Sequence, residues 1–185
     1  MGKAKKLLLC TKAYQDFLDC IKQMDMPVAV TKAKENHPTS LYTETPISGK
    51  KPLGEDVFSC EVRNKNTSNY SLQITTDAYR SRVVCRLDEG NGTHRNNYPD
   101  IPLVEQRVPT PHIHTYDDKG RFLAAPIEHD SKLGPMHIND AFNLFCNRFS
   151  ILPKSGLEKD YTIIVAESGN FSLPQDPDPL NGVTF

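Results

Sequence analysis

Apolar residues along the chain follow two different periods, which predict where helices and strands lie. Near the start they recur at i, i+3, i+4 and i+7, which predicts an amphipathic helix over residues 11–24, capped by Thr11 and ending before Pro27. A second run with helical spacing predicts a helix over 139–149, with Asn139 or Asp140 as its cap. The two apolar stripes are Tyr14, Phe17, Leu18 and Ile21, and Ala141, Phe142, Phe145 and Phe149.

Between the helices the period changes to two, which is typical of half-buried strands. The alternating segments are 56–63, 70–75, 80–88, 112–116 and 121–127, and a last strand is predicted over 160–167. Short turn sequences join the first two segments and the last alternating pair, which predicts two hairpins. Together these elements predict an α+β fold, an antiparallel meander of about five to six strands with two helices on one face.

Two stretches break both periods and are predicted as long loops, 25–54 and 89–111, because proline, glycine and polar residues dominate them. A chain of 185 residues can bury one substantial core, so residues 1–185 are predicted to form a single domain. Residues 151–185 are predicted as a C-terminal extension that carries one strand.

Composition narrows the possible partners and the compartment. The formal net charge is −1, so no overall basic field attracts nucleic acid, and any charged partner must be met locally. The start "MGKAKKLLLC" has too short an apolar run for a signal peptide, and no segment has the roughly 18 apolar residues of a membrane span. Five widely spaced cysteines suit buried thiols in a reducing cytosol, so a cytoplasmic location and no membrane partner are expected.

Candidate chemistry lies on the polar side of the predicted sheet. Alternation puts His112, His114 and Tyr116 on one face and groups Arg86 with Asp88. If the helices cover the apolar face, these five residues share an open face. The glycine-flanked loop "GNGTHRNN" between the strands adds His94 and Arg95.

These residue types are the ones that metal-free phosphodiester cleavage requires. One imidazole takes the proton of a ribose 2′-hydroxyl, another protonates the leaving 5′-oxygen, and a guanidinium stabilises the phosphorane. Asp88 can orient an imidazole, and Tyr116 can stack on a base. The catalytic candidates are therefore His112, His114, Arg86, Asp88, His94 and Tyr116, with no cofactor and no metal expected.

Other interpretations of the same residues stay open. Outward histidines on a strand are often solvated surface, and Arg86 with Asp88 can be a same-face ion pair worth about 0–1 kcal/mol. A metal site is a further alternative, because His112 and His114 with Asp88 or His94 could supply three ligands to zinc, manganese or iron.

The run "VVCRLDEGNGTHRN", a spacer and "PHIHTYDDKGRFLAAPI" resemble the shared core of a widespread group of small proteins from phages, plasmids and genomic islands. The resemblance covers residues 80–150 and falls on Arg86, Asp88, His94, Arg95, Asn96, His112, His114 and Tyr116. The spacer 97–111 is long for the group, and the pattern does not extend beyond Phe149.

The resemblance implies a protein of conflict between mobile elements and their hosts. Its most concrete form is an anti-CRISPR inhibitor of Cas9 that engages the guide RNA and cleaves it without metal, with Arg95, Asn96, Arg82 and Arg121 as RNA contacts. RNA and a Cas9-type protein are then the expected partners. One alternative is a stoichiometric inhibitor that binds a protein through the 25–54 and 89–111 segments, and another is a ribonuclease toxin of a toxin–antitoxin pair.

Overall fold

Seven antiparallel strands form the central sheet of a computed structural model that describes residues 11–79, 83–90, 92–154 and 161–166. In this part of the chain the helices are α1 (Thr11–Asp19), α2 (Leu103–Gln106) and α3 (Ile138–Arg148). The strands are β1 (Lys22–Met24), β2 (Val28–Val30), β3 (Lys32–Lys34), β4 (His37–Pro46), β5 (Ser48–Gly49), β6 (Asp56–Val62), β7 (Tyr70–Thr76), β8 (Val83–Glu89), β9 (His94–Arg95), β10 (Arg107–Val108), β11 (His112–Tyr116), β12 (Phe122–Pro126), β13 (Ile151–Pro153) and β14 (Ile163–Val165). The α+β class is therefore confirmed.

The central sheet has the order β12-β11-β8-β7-β6-β4-β3. The predicted meander of β6, β7 and β8 and the predicted β11–β12 hairpin are both present. The prediction of a loop over 25–54 is wrong, because β3 and β4 add two strands to the sheet. Pro38 and Pro46 lie near the ends of β4, where a missing N–H is tolerated in a strand.

Three short strands near the start of the chain pair with segments distant in sequence. β1 runs parallel to β13 and antiparallel to β5, and β2 runs parallel to β14. The predicted extension is therefore joined to the body of the protein by β13 and β14. The rest of it, residues 155–160 and 167–185, lies outside the described ranges.

The first helix is shorter than predicted, because it ends at Asp19 and Lys22 begins β1. The Lys22 side chain is fully buried, and its amino group donates to the carbonyl oxygens of Phe17 at 2.5 Å and Cys20 at 2.8 Å. A cation on the last carbonyls stabilises a helix end. Ile21, placed on the apolar stripe by its spacing, is 61% exposed instead.

Helix α3, predicted over 139–149, also begins differently from the prediction. Its cap is His137, whose Nδ1 accepts a hydrogen bond from the N–H of Asn139 at 3.3 Å. Asn139, a predicted cap, instead accepts a hydrogen bond from the N–H of Ile163 at 2.8 Å. This bond connects the start of α3 to β14.

One face of the sheet forms the core against α3. Cross-strand register joins its buried apolar residues, which include Phe58, Cys60, Leu72, Ile74, Cys85, Leu87 and Ile113. The rings of Phe142 and Phe145 lie 5.4 and 5.9 Å from that of Phe58. Burial of each leucine, isoleucine or phenylalanine side chain among them contributes about 1.5–3 kcal/mol. No helix in the described ranges is both long and apolar enough to cross a membrane.

Candidate functional site

Strand register places four polar side chains in two facing pairs on the side of the sheet opposite the apolar core. β8 and β11 run antiparallel, with Asp88 opposite His112 and Arg86 opposite His114. Ser71 of β7 lies next to Asp88 in the same row. Because side chains alternate between the faces of a strand, all these residues share one face, as the sequence pattern predicted.

Asp88 lies at the centre of this group. Its Oδ2 atom is 2.7 Å from Nε of Arg86, 3.3 Å from Nε2 of His114 and 3.7 Å from Nε2 of His112. Burial alone would raise the pKa of the Asp88 carboxyl, but the neighbouring His112 and His114 rings and the charge of Arg86 hold this pKa far below its usual range. Asp88 is therefore ionised at neutral pH.

The expectation of an open face is wrong for the two strand histidines. His112 is 3% exposed and His114 is 0% exposed. The ring of Phe122 stacks on His114 at 5.1 Å, and the ring of His94 lies 4.6 Å from it. Burial is the main cause that lowers the pKa of His114 below its usual value. The sequence pattern places the two rings on the correct face but does not reveal what covers them.

The cover is a ribbon formed by β9 and β10, which pair in antiparallel register inside the predicted 89–111 loop. Asn96 fixes this ribbon to the sheet edge. Its Nδ2 donates to the carbonyl oxygen of Ala124 at 2.8 Å, and its Oδ1 accepts from the N–H of Ala124 at 2.9 Å. His94, two residues earlier, is thereby held over His112 and His114.

A small cleft of about 140 Å³ opens beside the covered histidines. It is lined by Arg63, Arg86, Asp88, Thr93, His94 and His112. His94 is half-buried, and burial together with the neighbouring imidazoles and Arg86 lowers its pKa. The cleft thus combines two guanidinium groups with two imidazoles and one carboxylate.

Arg63 is the functional candidate that the sequence analysis missed. Its Nη2 atom is 3.8 Å from Oδ1 of Asp88. The signal was present, because Arg63 follows Ser59 and Glu61 in the polar positions of the alternating segment. What the pattern could not show is that the strand ends at Val62 and that Arg63 begins a short 3₁₀ turn, Arg63–Lys65.

Other predicted residues lie elsewhere or have other partners. Tyr116 is buried against Tyr14 at 5.8 Å and Phe122 at 4.7 Å, and it does not line the cleft. Arg121 is paired with Asp117 and Asp100, which neutralise its charge. Three predicted RNA contacts remain. Asn96 is buried, and Arg95 is exposed and donates a hydrogen bond to the Gln106 side chain at 3.3 Å. Arg82 lies outside the described ranges.

His94, His112 and His114 also form a group with the composition of a metal site. One ring nitrogen of each lies within 4.8 Å of the others. Nδ1 of His112 is 3.1 Å from the carbonyl oxygen of Pro109. Since a carbonyl only accepts hydrogen bonds, Nδ1 carries a proton. Nε2 lies 3.7 Å from Oδ2 of Asp88, too far for a hydrogen bond, so its lone pair is not used by the protein when the ring is neutral.

Comparison with family models, curated proteins and solved structures gives no match for this chain. The resemblance of residues 80–150 to proteins of mobile elements therefore remains an expectation from their motif.

Proposed function

We propose that this protein binds RNA at the cleft beside His94 and His112 and cleaves the phosphodiester without metal. The observation that supports this proposal is the convergence of Arg63, Arg86 and the two imidazoles on one small cavity. Its volume of about 140 Å³ is small against the roughly 300–1,000 Å³ of ordinary ligand pockets. The cleft therefore suits a phosphate group, and the bases would lie outside it.

The proposed reaction assigns a role to each lining group. Nε2 of His112 takes the proton of the ribose 2′-hydroxyl, and the resulting oxygen attacks the phosphorus. The bond to the 5′-oxygen breaks, and His94 gives this oxygen a proton in the fraction of molecules whose His94 ring is protonated, a fraction that the lowered pKa of His94 reduces at neutral pH. The products are a 2′,3′-cyclic phosphate and a 5′-hydroxyl. Arg63 and Arg86 stabilise the charge on the phosphorane oxygens.

His114 has a positioning role in this scheme, because a fully buried ring cannot reach RNA. Its Nε2 lies 3.3 Å from both Oδ2 of Asp88 and Nη2 of Arg86, so this ring packs against the Arg86–Asp88 ion pair and holds the carboxylate beside Arg86. Of the three candidate histidines, His112 and His94 are therefore the two catalytic imidazoles of this scheme. The proposed substrate, the guide RNA of a Cas9-type nuclease, rests on the sequence resemblance alone.

The test incubates purified protein with free and Cas9-bound guide RNA, with and without EDTA. Shortened RNA is expected in both conditions, and His94→Ala or His112→Ala should slow cleavage by about 10²-fold or more. His37→Ala is the matched control, because His37 is exposed on β4 and should leave the rate unchanged. Full activity in His112→Ala, or loss of cleavage in EDTA, would overturn the mechanism.

Exposed aliphatic side chains support a second candidate, a stoichiometric inhibitor that binds a Cas9-type protein. Leu103 and Val104 of α2 are 75% and 87% exposed in the segment that this alternative predicts as the interface. Adjacent exposed aliphatic residues are typical of binding surfaces.

Leu103→Asp should abolish capture of Cas9 if this alternative holds, with His112→Ala having no effect. Leu133→Asp is its control, since Leu133 is 78% exposed on a different segment. If the Leu103→Asp and Leu133→Asp variants capture Cas9 equally well and the RNA is shortened, the result favours the ribonuclease over the stoichiometric inhibitor.

A further inference from the structure

The imidazole rings of His94, on β9, and of His112 and His114, on β11, lie close together beside the cleft. The ring centroids of His94 and His112 lie 5.7 Å apart, those of His94 and His114 4.6 Å, and those of His112 and His114 4.8 Å. We propose that these three histidines form a binding site for a transition-metal ion such as Zn²⁺, and that the bound ion inhibits the RNA cleavage proposed above.

Each strand histidine keeps a nitrogen that the protein does not use. Nδ1 of His112 donates to the Pro109 carbonyl, so Nε2, which lies 3.7 Å from Oδ2 of Asp88, is the nitrogen that can bind a metal. Nδ1 of His114 is buried and has no hydrogen-bond partner among the described residues, while its Nε2 faces Asp88. A backbone carbonyl or a carboxylate on the second nitrogen is the usual support for a metal-bound histidine.

The charge around the site permits a cation despite two nearby arginines. Asp88 lies 2.7 Å from Arg86 and offsets its charge. The ligands themselves are neutral rings, as in the three-histidine zinc sites that keep a fourth position open. Ligands that are all imidazole suit Zn²⁺, Ni²⁺, Cu²⁺ or Fe²⁺, whereas Mg²⁺ and Ca²⁺ prefer oxygen.

Metal binding requires a small movement of the rings. Zinc–nitrogen bonds of about 2.0–2.1 Å in a tetrahedral site place nitrogens about 3.4 Å apart, and the ring nitrogens here lie within 4.8 Å. His94 is the half-buried member of the three and lies on a two-residue strand, so its ring is the one expected to approach the others.

The inhibitory effect rests on the proposed function, whereas the metal site does not. A metal bound to Nε2 of His112 occupies the lone pair that would take the 2′-hydroxyl proton. A metal bound to His94 likewise prevents this ring from carrying the proton for the leaving oxygen. The loaded protein therefore lacks both the base and the acid of the proposed reaction.

Binding is tested on the chelator-treated full-length protein by calorimetric titration with Zn²⁺ and by the visible absorption of Co²⁺. One Zn²⁺ per chain is expected, with no binding of Mg²⁺. His94→Ala should weaken Zn²⁺ binding by about 10-fold or more and leave the circular dichroism spectrum unchanged, since His94 is not in the core. His37→Ala should bind like the wild type. Absence of Zn²⁺ binding, or equal affinity in His94→Ala, would overturn the metal site.

RNA cleavage with EDTA and with added Zn²⁺ separates the two proposals. Cleavage in EDTA that stops with Zn²⁺ supports both. Zn²⁺ binding without cleavage under any condition overturns the proposed function and leaves the metal site standing. Cleavage that requires Zn²⁺ overturns the inhibitory role and the metal-free mechanism together, and cleavage in EDTA without Zn²⁺ binding overturns only the metal site.

Discussion

Asp88 is the residue on which the geometry of the cleft depends. Its single carboxylate faces Arg86, His112 and His114, and it is only 3% exposed. A buried charge is tolerated only when its partners offset the loss of hydration. The carboxylate therefore both stabilises the arrangement and sets the orientation of the two strand imidazoles.

We predict that Asp88→Asn lowers the free energy of unfolding and abolishes the activity of the cleft. Arg86 would lose its counter-ion and His114 a charged acceptor, at a cost of about 1–3 kcal/mol. Urea denaturation measures this change. Asp100→Asn, which removes one partner of exposed ion pairs with Lys119 and Arg121, should have no measurable effect on stability. Equal stability of Asp88→Asn and the wild type would show that the carboxylate does not support the site.

At the scale of elements, the β9–β10 ribbon determines which histidines RNA or metal can reach. It positions His94, buries His114 and is joined to β12 through the side chain of Asn96. Asn96 was predicted to contact RNA, but both ends of its amide are bound to the backbone of Ala124. Its role is to hold the ribbon in place.

Replacement of Asn96 by alanine should release the ribbon. The N–H and the carbonyl oxygen of Ala124 would each lose their hydrogen-bond partner. We expect this loss to lower the free energy of unfolding by about 1–3 kcal/mol. Chemical modification of His114 by diethyl pyrocarbonate, followed by mass spectrometry, should become faster. Asn97→Ala is a matched control, because the neighbouring Asn97 is exposed. Unchanged modification of His114 in Asn96→Ala would show that other contacts keep the ribbon closed.

The sequence predicted the elements whose pattern is long enough to show a period. β6, β7, β8 and β11 have five to seven residues each, and alternation correctly placed Arg86, Asp88, His112 and His114 on one face. The strands β1, β2 and β5 have only two or three residues, too few for a period to appear. Two of them pair with β13 and β14, more than a hundred residues away, so local sequence carries little information about them.

The candidate site was predicted in part for the same reason. Residues on adjacent strands follow from alternation and register, whereas the approach of His94 depends on the ribbon and on one amide contact with β12. The burial of His114 depends on Phe122 and on this ribbon. Such contacts between segments are set by packing in three dimensions and have no periodic signature.

For the whole molecule, charge limits how RNA can bind. The formal net charge is −1, and the positive groups of the cleft are Arg63 and Arg86. Arg121, a predicted contact, is neutralised by Asp117 and Asp100. Binding should therefore use few phosphate contacts and depend on the fit of one phosphate group.

We expect a weak salt dependence for RNA binding. For single strands, the slope of log K against log salt concentration is about −0.7 per contacted phosphate, so two contacts give about −1.4. The slope is measured by fluorescence anisotropy with a labelled guide RNA at about 50 to 300 mM salt. The His112→Ala variant is used because slow cleavage leaves the RNA intact during the measurement. Arg63→Gln should reduce it by about half. A slope steeper than about −4 would place the RNA on a broad basic surface instead.

The hydrogen bonds between Asn96 and Ala124 have a consequence for how copies of this protein behave toward one another. An edge strand with unpaired N–H and C=O groups can pair with strands of neighbouring molecules, which leads to aggregation. On β12, the central amide and carbonyl are already occupied by a side chain, and Pro126 has no N–H to offer. The other edge strand of the sheet, β3, carries Lys32 and Lys34, and lysines on an edge strand oppose pairing with another molecule. Both edge strands thus discourage strand-by-strand polymerisation, and Asn96, which anchors the ribbon over the histidines, also blocks pairing of β12 with another copy of the protein.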